Sequence, residues 1–589
     1  MSNQDELLEN GLKFPPGALV VPQVLNEFRR TPIETIEEAI HTCKSQKNKW
    51  LQVGIEERIT ILEQITRDLA SVGERWVDES INAKGIPKNS YGHGEEWFIF
   101  SFALRAARLL RRSLDDIQNH GRPRIPGKVY SRPDGQVVAQ VFPQTWENRL
   151  FFQSTTGEVW MQPGVTTEEV FQSQARAYTE KNFEGKVALV LAAGNVAILS
   201  VLDFLHKLFV ENHVVLLKIN PVNEYLGPIF EVGFQALNNR GFLHIIYGGA
   251  QEGSYICNHP DVDEIHLTGS DKTFEAIVYG TGPEVVSRKM NKDPINTKPI
   301  TAELGNITPV IVVPGPWDDH DIEYQALQIA SWFSGNSSFN CLTPRVLIQH
   351  KDWNKRSSMI DAIGKLFNEI ETRSAYYLGA EERFALFMAE HPDAHQYGSA
   401  KEGYLPWTVI TDVDPTDLDD ICFRCESFCS IMAETALEAP TVPEFIHQAV
   451  EFANNNLWGT LAATILVHPK SMQDPEIASA VDQAISRLRY GTIGVNMRID
   501  AAYYLMLTTW GAFPGQPDED IQSGRGTVHN YLMFDRPQKS VIQGPFIRSP
   551  DPFTVRSKTI HDFARKVALY EASPSLWKLP GLLWSAMRS

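Results

Sequence analysis

Cys341 stands in Gly335-Asn-Ser-Ser-Phe-Asn-Cys341-Leu-Thr-Pro-Arg345-Val, and Glu303 stands upstream in Thr301-Ala-Glu303-Leu-Gly305-Asn. Together they supply the two groups that covalent acyl chemistry needs. A thiol, once partly ionised, attacks a carbonyl carbon, and a nearby carboxylate activates the water that frees the resulting thioester. Taken alone, Cys341 reads as a small buried hydrophobe, and a single glutamate as a surface charge.

Other positions carry the same double reading. Gly194-Asn195 follows the apolar run Val187-Ala-Leu-Val-Leu, where a side-chain amide either donates to a developing oxyanion or ends a strand in a turn. Thr268-Gly269-Ser270 joins a strand to a helix expected from about Asp271. Small residues at a helix amino end either admit a pyrophosphate or form a plain cap. Lys218 ends Val214-Val-Leu-Leu-Lys218, and Glu426-Ser-Phe428 lies further on. Cys422, Cys425 and Cys429 are spaced C-x2-C-x3-C with no fourth Cys or His close in sequence, so no metal is expected.

The elements that must position these groups follow from periodicity. Residues 34 to 83 place Ile36, Ala39, Ile40 and then Ile55, Ile59, Leu62, Ile65 and Leu69 at helical spacing. Val137 to Phe142, Leu150-Phe-Phe and Glu158-Val-Trp-Met read as strands of a β arm. From Gly185, short apolar strands alternate with helices near 199 to 211 and 224 to 238, the mark of a parallel sheet with ligands at its carboxyl ends. A second α/β stretch holds Pro309-Val-Ile-Val-Val, Arg345-Val-Leu-Ile and Ala462 to Val467.

The chain has 589 residues, 21% charged and 43% hydrophobic, with a formal net charge of -18. That composition is globular, and its charge excludes nucleic acid or an anionic membrane as the main partner. Six scattered cysteines suit a reducing cytoplasmic compartment. The acidic first ten residues are unlike a signal peptide. Val187 to Leu202, broken by Gly194-Asn195 and Ser200, is too short and interrupted for a transmembrane segment.

Read together, the segments Val187 to Asn195, Val214 to Lys218, His266-Leu-Thr-Gly269-Ser270, Glu303-Leu-Gly305, Asn340-Cys341 with Arg345-Val, Glu426-Ser-Phe428, Trp458-Gly-Thr-Leu-Ala and Gly491 to Asn496 resemble the aldehyde dehydrogenase superfamily in order and separation. The resemblance spans about residues 35 to 545. It implies an α/β fold: a Rossmann-like parallel-sheet nucleotide-binding domain, a second α/β catalytic domain and a β oligomerisation arm. The expected division is 1–127, N-terminal helices of the nucleotide-binding domain; 128–183, β arm; 184–302, dinucleotide-binding domain; 303–505, catalytic domain; and 506–589, a C-terminal segment with an arm-pairing strand and tail.

The resemblance also implies roles: Cys341 as nucleophile, Glu303 as general base and Asn195 as oxyanion donor, with Lys218, Gly269, Ser270, Glu426 and Phe428 binding NAD or NADP. Where many members carry a ribose-binding glutamate three residues after the lysine, this chain has Pro221, which leaves NADP open; Glu224 is nearby. The implied reaction is NAD(P)-dependent oxidation of an aldehyde to a carboxylic acid by a homodimer or homotetramer, on an aldehyde that aromatic residues such as Trp332, Phe333, Phe339 and Trp510 would suit to be apolar or long-chain. Two alternatives stand beside it: an acylating, CoA-linked enzyme, and a catalytically silent dinucleotide-binding scaffold. The apolar tail Leu576 to Trp584 could cover an entrance, dock on a neighbouring subunit or touch a membrane surface.

Overall fold

The computed structural model describes residues 14–21, 27–399 and 401–588. The acidic stretch of the first ten residues lies outside the described residues. Three long helices come first, Ile33–Gln52, Ile55–Ala83 and Tyr91–His120. The second buries Ile61, Leu62, Ile65, Leu69, Val72 and Trp76 along one side, the apolar stripe that its spacing dictates. Ser90 caps the third by accepting from the His93 N–H, and Gly121, at φ 77°, ends it in the left-handed conformation that glycine tolerates best.

The first sheet has six strands in the order Gly524–Arg525, Ile300–Glu303, Glu264–Thr268, Val187–Leu191, Val214–Lys218, Leu243–Ile246. All neighbours run parallel except the short Gly524–Arg525 strand, which is antiparallel to Ile300–Glu303. The chain moves outward from Val187–Leu191 to Leu243–Ile246, then returns to lay Glu264–Thr268 on the other side of the first strand. That reversal opens a crevice at the strands' carboxyl ends, the place where Asn195 and Thr268-Gly269-Ser270 emerge. The crossover helix Leu199–Phe209 is buried on every side. Residues 224 to 238, expected as one helix, form a 3-10 turn Pro221–Leu226 and two short helices, Gly227–Gly233 and Gln235–Asn238, because Phe234 (φ -121°, ψ 22°) leaves helical geometry just after Gly233.

The second sheet has eleven strands. Its parallel centre runs Trp407–Val413, Ile431–Leu437, Pro344–His350, Thr308–Val312, Ala462–Leu466, Thr492–Val495 and Pro537–Gln543. Thr156–Met161, Val137–Phe142 and Val129–Ser131 continue it antiparallel, so the strands expected as an arm join the same sheet through Pro537–Gln543. Leu150-Phe-Phe departs from expectation. Leu150 and Phe151 belong to a helix, Trp146–Phe151, and Phe152 is its C-cap; Thr145 and Asn148 bond each other's backbones in a capping box, which outweighs the strand propensity of the phenylalanines.

The tail folds as a 3-10 turn, Leu576–Lys578, and a helix, Leu579–Arg588. Leu579, Leu582 and Ala586 turn inward, while Trp577 is 94% exposed. Among the described residues, no helix is long and apolar enough to cross a membrane.

Candidate active site

Glu303 is the last residue of its strand in the first sheet, and Cys341 lies in the loop that enters the second sheet at Pro344. Before the cysteine, Asn336, Ser337 and Ser338 take φ values of 50°, 56° and 71°. Three consecutive non-glycine residues in that region store strain that the surroundings must hold. Arg345 holds it from below: it donates to the Ser338 carbonyl (2.6 Å) and to the Cys429 carbonyl (2.6 Å). Asn336 holds it from the side, donating to the backbone carbonyls of Asn195 (2.9 Å) and Phe339 (3.2 Å). Its own carbonyl oxygen accepts from Lys84 at 3.0 Å, and Lys84 is paired with the buried Glu96 at 2.6 Å.

The loop brings Cys341 Sγ to 3.3 Å from Glu303 Oε1, and the thiol donates. Asn195 Nδ2 donates to the Phe339 carbonyl at 2.9 Å, which uses one of its two amide hydrogens and leaves the other. Cys341, Glu303 and Asn195 line a cavity of about 140 Å³, together with Val196, Leu199, Tyr503 and Phe553. Burial, reinforced by Glu303 and Glu426, pushes the Cys341 thiol well above its usual range. The thiol is thus hydrogen-bonded to the carboxylate that the sequence reading pairs with it.

Glu303 is itself raised, by burial first and then by the negative charge of Asp203, with His529 partly opposing. Asp203 belongs to a buried polar cluster that sequence reading missed. Its Oδ1 lies 3.5 Å from His266 Nε2 and 3.6 Å from His529 Nε2, and its Oδ2 accepts from the Thr268 hydroxyl at 2.8 Å. Burial alone would raise Asp203, but the two histidines outweigh it and hold the carboxyl below its ordinary range. Glu303 Oε2 has no hydrogen-bond partner among the described residues.

The positions expected to bind cofactor ring the crevice. Ser270 caps the helix Asp271–Tyr279 by accepting from the Thr273 N–H, and the Gly269 N–H donates to the Glu303 carbonyl at 3.0 Å. Lys218 sits at its strand end, lowered to about 8 by burial and without a salt-bridged acid among the described residues. Glu426 is buried and raised to about 7, burial outweighing Arg345. Its Oε1 has no partner. A Cβ at Gly305 would collide with Glu426 Oε2, so only glycine lets the carboxylate lie there. Phe428, at φ 40°, packs its ring 5.0 Å from Tyr377.

A half-buried ammonium at Lys218 and a Glu426 carboxylate oxygen, each without a partner among the described residues, fit a ligand with anionic and hydroxyl groups, as a dinucleotide has. Glu224 Oε2 accepts from the Arg29 N–H at 2.7 Å, so that carboxylate is already engaged. The segment before it also crosses the crevice: Gly17–Ala18 pairs in parallel with Cys425–Glu426, and the Ala18 N–H donates to Asp271 Oδ1 at 2.9 Å.

Of the three clustered cysteines, Cys422 lies 3.5 Å from His391 Nε2, which is 3.2 Å from Asp420 Oδ1. That grouping has no counterpart in the local spacing, since His391 lies 31 positions away.

The fold and site define an α/β protein with a dinucleotide-type parallel sheet, a second large sheet, and a cysteine–glutamate pair at their junction. The family model described as "Aldehyde dehydrogenase family" matches residues 151–373. D-glyceraldehyde dehydrogenase (NADP(+)) of Picrophilus torridus is 26% identical over 277 residues, 44% of this chain and 49% of that protein. Aminoaldehyde dehydrogenase 2 of Solanum lycopersicum is 27% identical over 304 residues, 48% of this chain and 51% of that protein. The chain thus spans about half the length of the curated relatives it matches.

Among solved structures, the NADP-dependent glyceraldehyde-3-phosphate dehydrogenase of Bacillus halodurans complexed with NADP superposes with a TM-score of 0.56 at 17% identity, covering 90% of this chain and 96% of that one. A mutant aldehyde dehydrogenase C of Pseudomonas syringae complexed with NAD+ and octanal gives 0.59 at 14% identity, covering 91% and 95%. Residues 151–373 thus match the aldehyde dehydrogenase family, and the fold is similar to that of the solved aldehyde dehydrogenases.

Proposed function

We propose that this protein oxidises an aldehyde to a carboxylic acid with NAD or NADP through a thioester on Cys341. The single observation that carries the reading is the 3.3 Å contact of Cys341 Sγ with Glu303 Oε1 beside a free Asn195 amide hydrogen. Sulfur attacks the aldehyde carbon, the thiol proton passes to Glu303, and the oxyanion of the thiohemiacetal is met by Asn195 and the Cys341 N–H. The bound nicotinamide cofactor, held by Lys218, Gly269, Ser270, Glu426 and Phe428, supplies the two-electron acceptor. Glu303 first releases the thiol proton to solvent; at the thioester it takes a proton from water as the water oxygen bonds to the acyl carbon, and when the carbon–sulfur bond breaks it passes that proton to the departing sulfur, which returns Cys341 as the thiol.

A base in contact with the nucleophile favours hydrolysis over transfer to coenzyme A, for which water is a competitor. The same contact argues against a silent scaffold. Pro221 places no carboxylate three residues after Lys218 to repel a 2′-phosphate, and Glu224 is directed to the Arg29 backbone N–H, so NADP is used alongside NAD. A homo-oligomer is consistent with the short edge strand Val129–Ser131, whose outer side is unpaired among the described residues. The six unbridged cysteines suit a cytoplasmic setting.

The test is a single-turnover experiment with Cys341→Ala and Glu303→Gln, following nicotinamide absorbance. Cys341→Ala should form no reduced cofactor. Glu303→Gln should form about one equivalent per site in a slowed first phase and then turn over more slowly still, with an acyl group on Cys341 by mass spectrometry. Steady turnover without burst or adduct, or a wild-type requirement for coenzyme A, would overturn the reading.

A further inference from the structure

The cavity around Cys341 shares the walls formed by Phe98, Phe152, Tyr504, Arg548 and Phe553 with a second, larger cavity of about 630 Å³. One side of this vestibule is apolar: Phe563 and Val567 of the helix Ile560–Ala572, with Leu582 and Leu583 of the tail helix. The other is a stripe on the helix Tyr91–His120, where Arg105, Arg108 and Arg112 recur at intervals of three and four and therefore share a face. Arg105 and Arg108 are answered by Glu571, at 2.9 Å and 2.5 Å.

Arg112 is not answered. It is half-buried and lines the vestibule, yet has no hydrogen-bond or salt-bridge partner among the described residues. Its nearest acid, Asp116, is bonded to Arg124 at 2.6 Å. Around the whole vestibule five arginines face three carboxylates, so its lining is positive in a chain of net charge -18. A half-buried guanidinium without a counter-ion is costly in water-poor surroundings, and its planar fork suits carboxylate or phosphate.

Resting on the reading of the site as an aldehyde-oxidising one, we propose that the substrate is an amphipathic aldehyde: an apolar chain that lies along the vestibule, with an anionic group at its far end held by Arg112. The apolar wall takes the chain, and the wall shared with the inner cavity leads the aldehyde carbon to Cys341. Carboxylate and phosphate offer the same acceptor chemistry to the guanidinium.

The experiment compares kcat/KM for dodecanal, its ω-carboxylated analogue, its ω-phosphorylated analogue and propanal, using the full chain and Arg112→Gln. The better anionic substrate should exceed dodecanal by about tenfold, the size of one charge-assisted hydrogen bond. The two analogues against each other identify the anion. Arg112→Gln should bring the anionic-to-neutral ratio toward one, whereas a purely structural role would lower all substrates and leave that ratio unchanged. In parallel, dodecanedioate should bind Cys341→Ala more tightly than dodecanoate by calorimetry.

Equal use of dodecanal and both analogues by wild type, or an unchanged ratio in Arg112→Gln, would defeat the proposal while leaving aldehyde oxidation standing. Stimulation by coenzyme A that Arg112→Gln abolishes would assign the vestibule to a carrier instead. No turnover of any aldehyde, propanal included, would remove the underlying reading and this one with it.

Discussion

At the scale of single residues, the site works by keeping charges apart from protons until substrate arrives. Burial raises both Cys341 and Glu303, and the thiol directs its proton toward the carboxylate. Asp203 sets how readily Glu303 accepts it. Its negative charge disfavours the Glu303 carboxylate, so Asp203→Asn should lower the Glu303 pKa and move the acid limb of kcat/KM to lower pH. A pH profile whose acid limb stays put or moves upward, in a variant of native circular dichroism, would refute that coupling. Cys341, Glu303 and Asn195 were legible in the chain because each stands in a recognisable local context. Asp203, His266, His529 and Asn336 were not, because their roles come from contacts that only the folded chain makes, such as Asp203 with Thr268 across 65 positions.

At the scale of elements, the helix Tyr91–His120 does two jobs: Glu96 steadies the nucleophile loop through Lys84, and the arginine stripe faces the vestibule. The helix Ile560–Ala572 is fastened to it by Glu571, which also accepts from the Tyr504 hydroxyl at 3.1 Å. Arg108 and Arg105 outweigh burial and hold the Glu571 carboxyl below its ordinary range. Glu571→Gln leaves two buried guanidiniums short of a counter-charge and should cost roughly 3–5 kcal/mol, read as a lower Tm. Because the folded pKa is depressed, this stabilisation is present above the unfolded value and fades as pH falls through the folded one, so the gap between wild type and variant should narrow in acid. A Tm within a degree or so of wild type near neutrality would contradict it. Helix and strand periodicity revealed the long helices and the parallel strands. It misread Leu150-Phe-Phe, where the deciding signal was the Thr145 and Asn148 cap rather than the phenylalanines.

At the scale of the whole molecule, two sheets bring ligand-facing surfaces of different character together. The carboxyl edge of the first sheet carries Lys218, without a salt-bridge partner among the described residues, and the helices Tyr91–His120 and Ile560–Ala572 offer a positive vestibule that shares walls with the cavity around the thiol. The overall acidity hides this: a net charge of -18 argues only about the outer surface, while the arginines of the vestibule are answered unevenly within it. Composition spoke against nucleic acid as a main partner, but it had no means of locating a local excess of guanidinium, which depends on which face of one helix points inward.

The early chain is tied beside Glu426 by the pairing of Gly17–Ala18 with Cys425–Glu426, by the Ala18 bond to Asp271, by bonds from Arg424, Cys425 and Lys272 to the carbonyls of Phe14, Pro15 and Pro16, and by the buried Phe14, Leu19 and Val21. Local opening of such a segment stands below global unfolding in free energy. Opening of this segment and occupancy of the crevice are then linked functions: if cofactor on Glu426 favours the paired form, the paired form favours cofactor by the same factor. NADP should therefore slow amide exchange at Ala18, and weakening the pairing should raise the cofactor Kd as much as it speeds that exchange. Exchange at Ala18 that ignores NADP at saturating concentration would show the two equilibria to be independent.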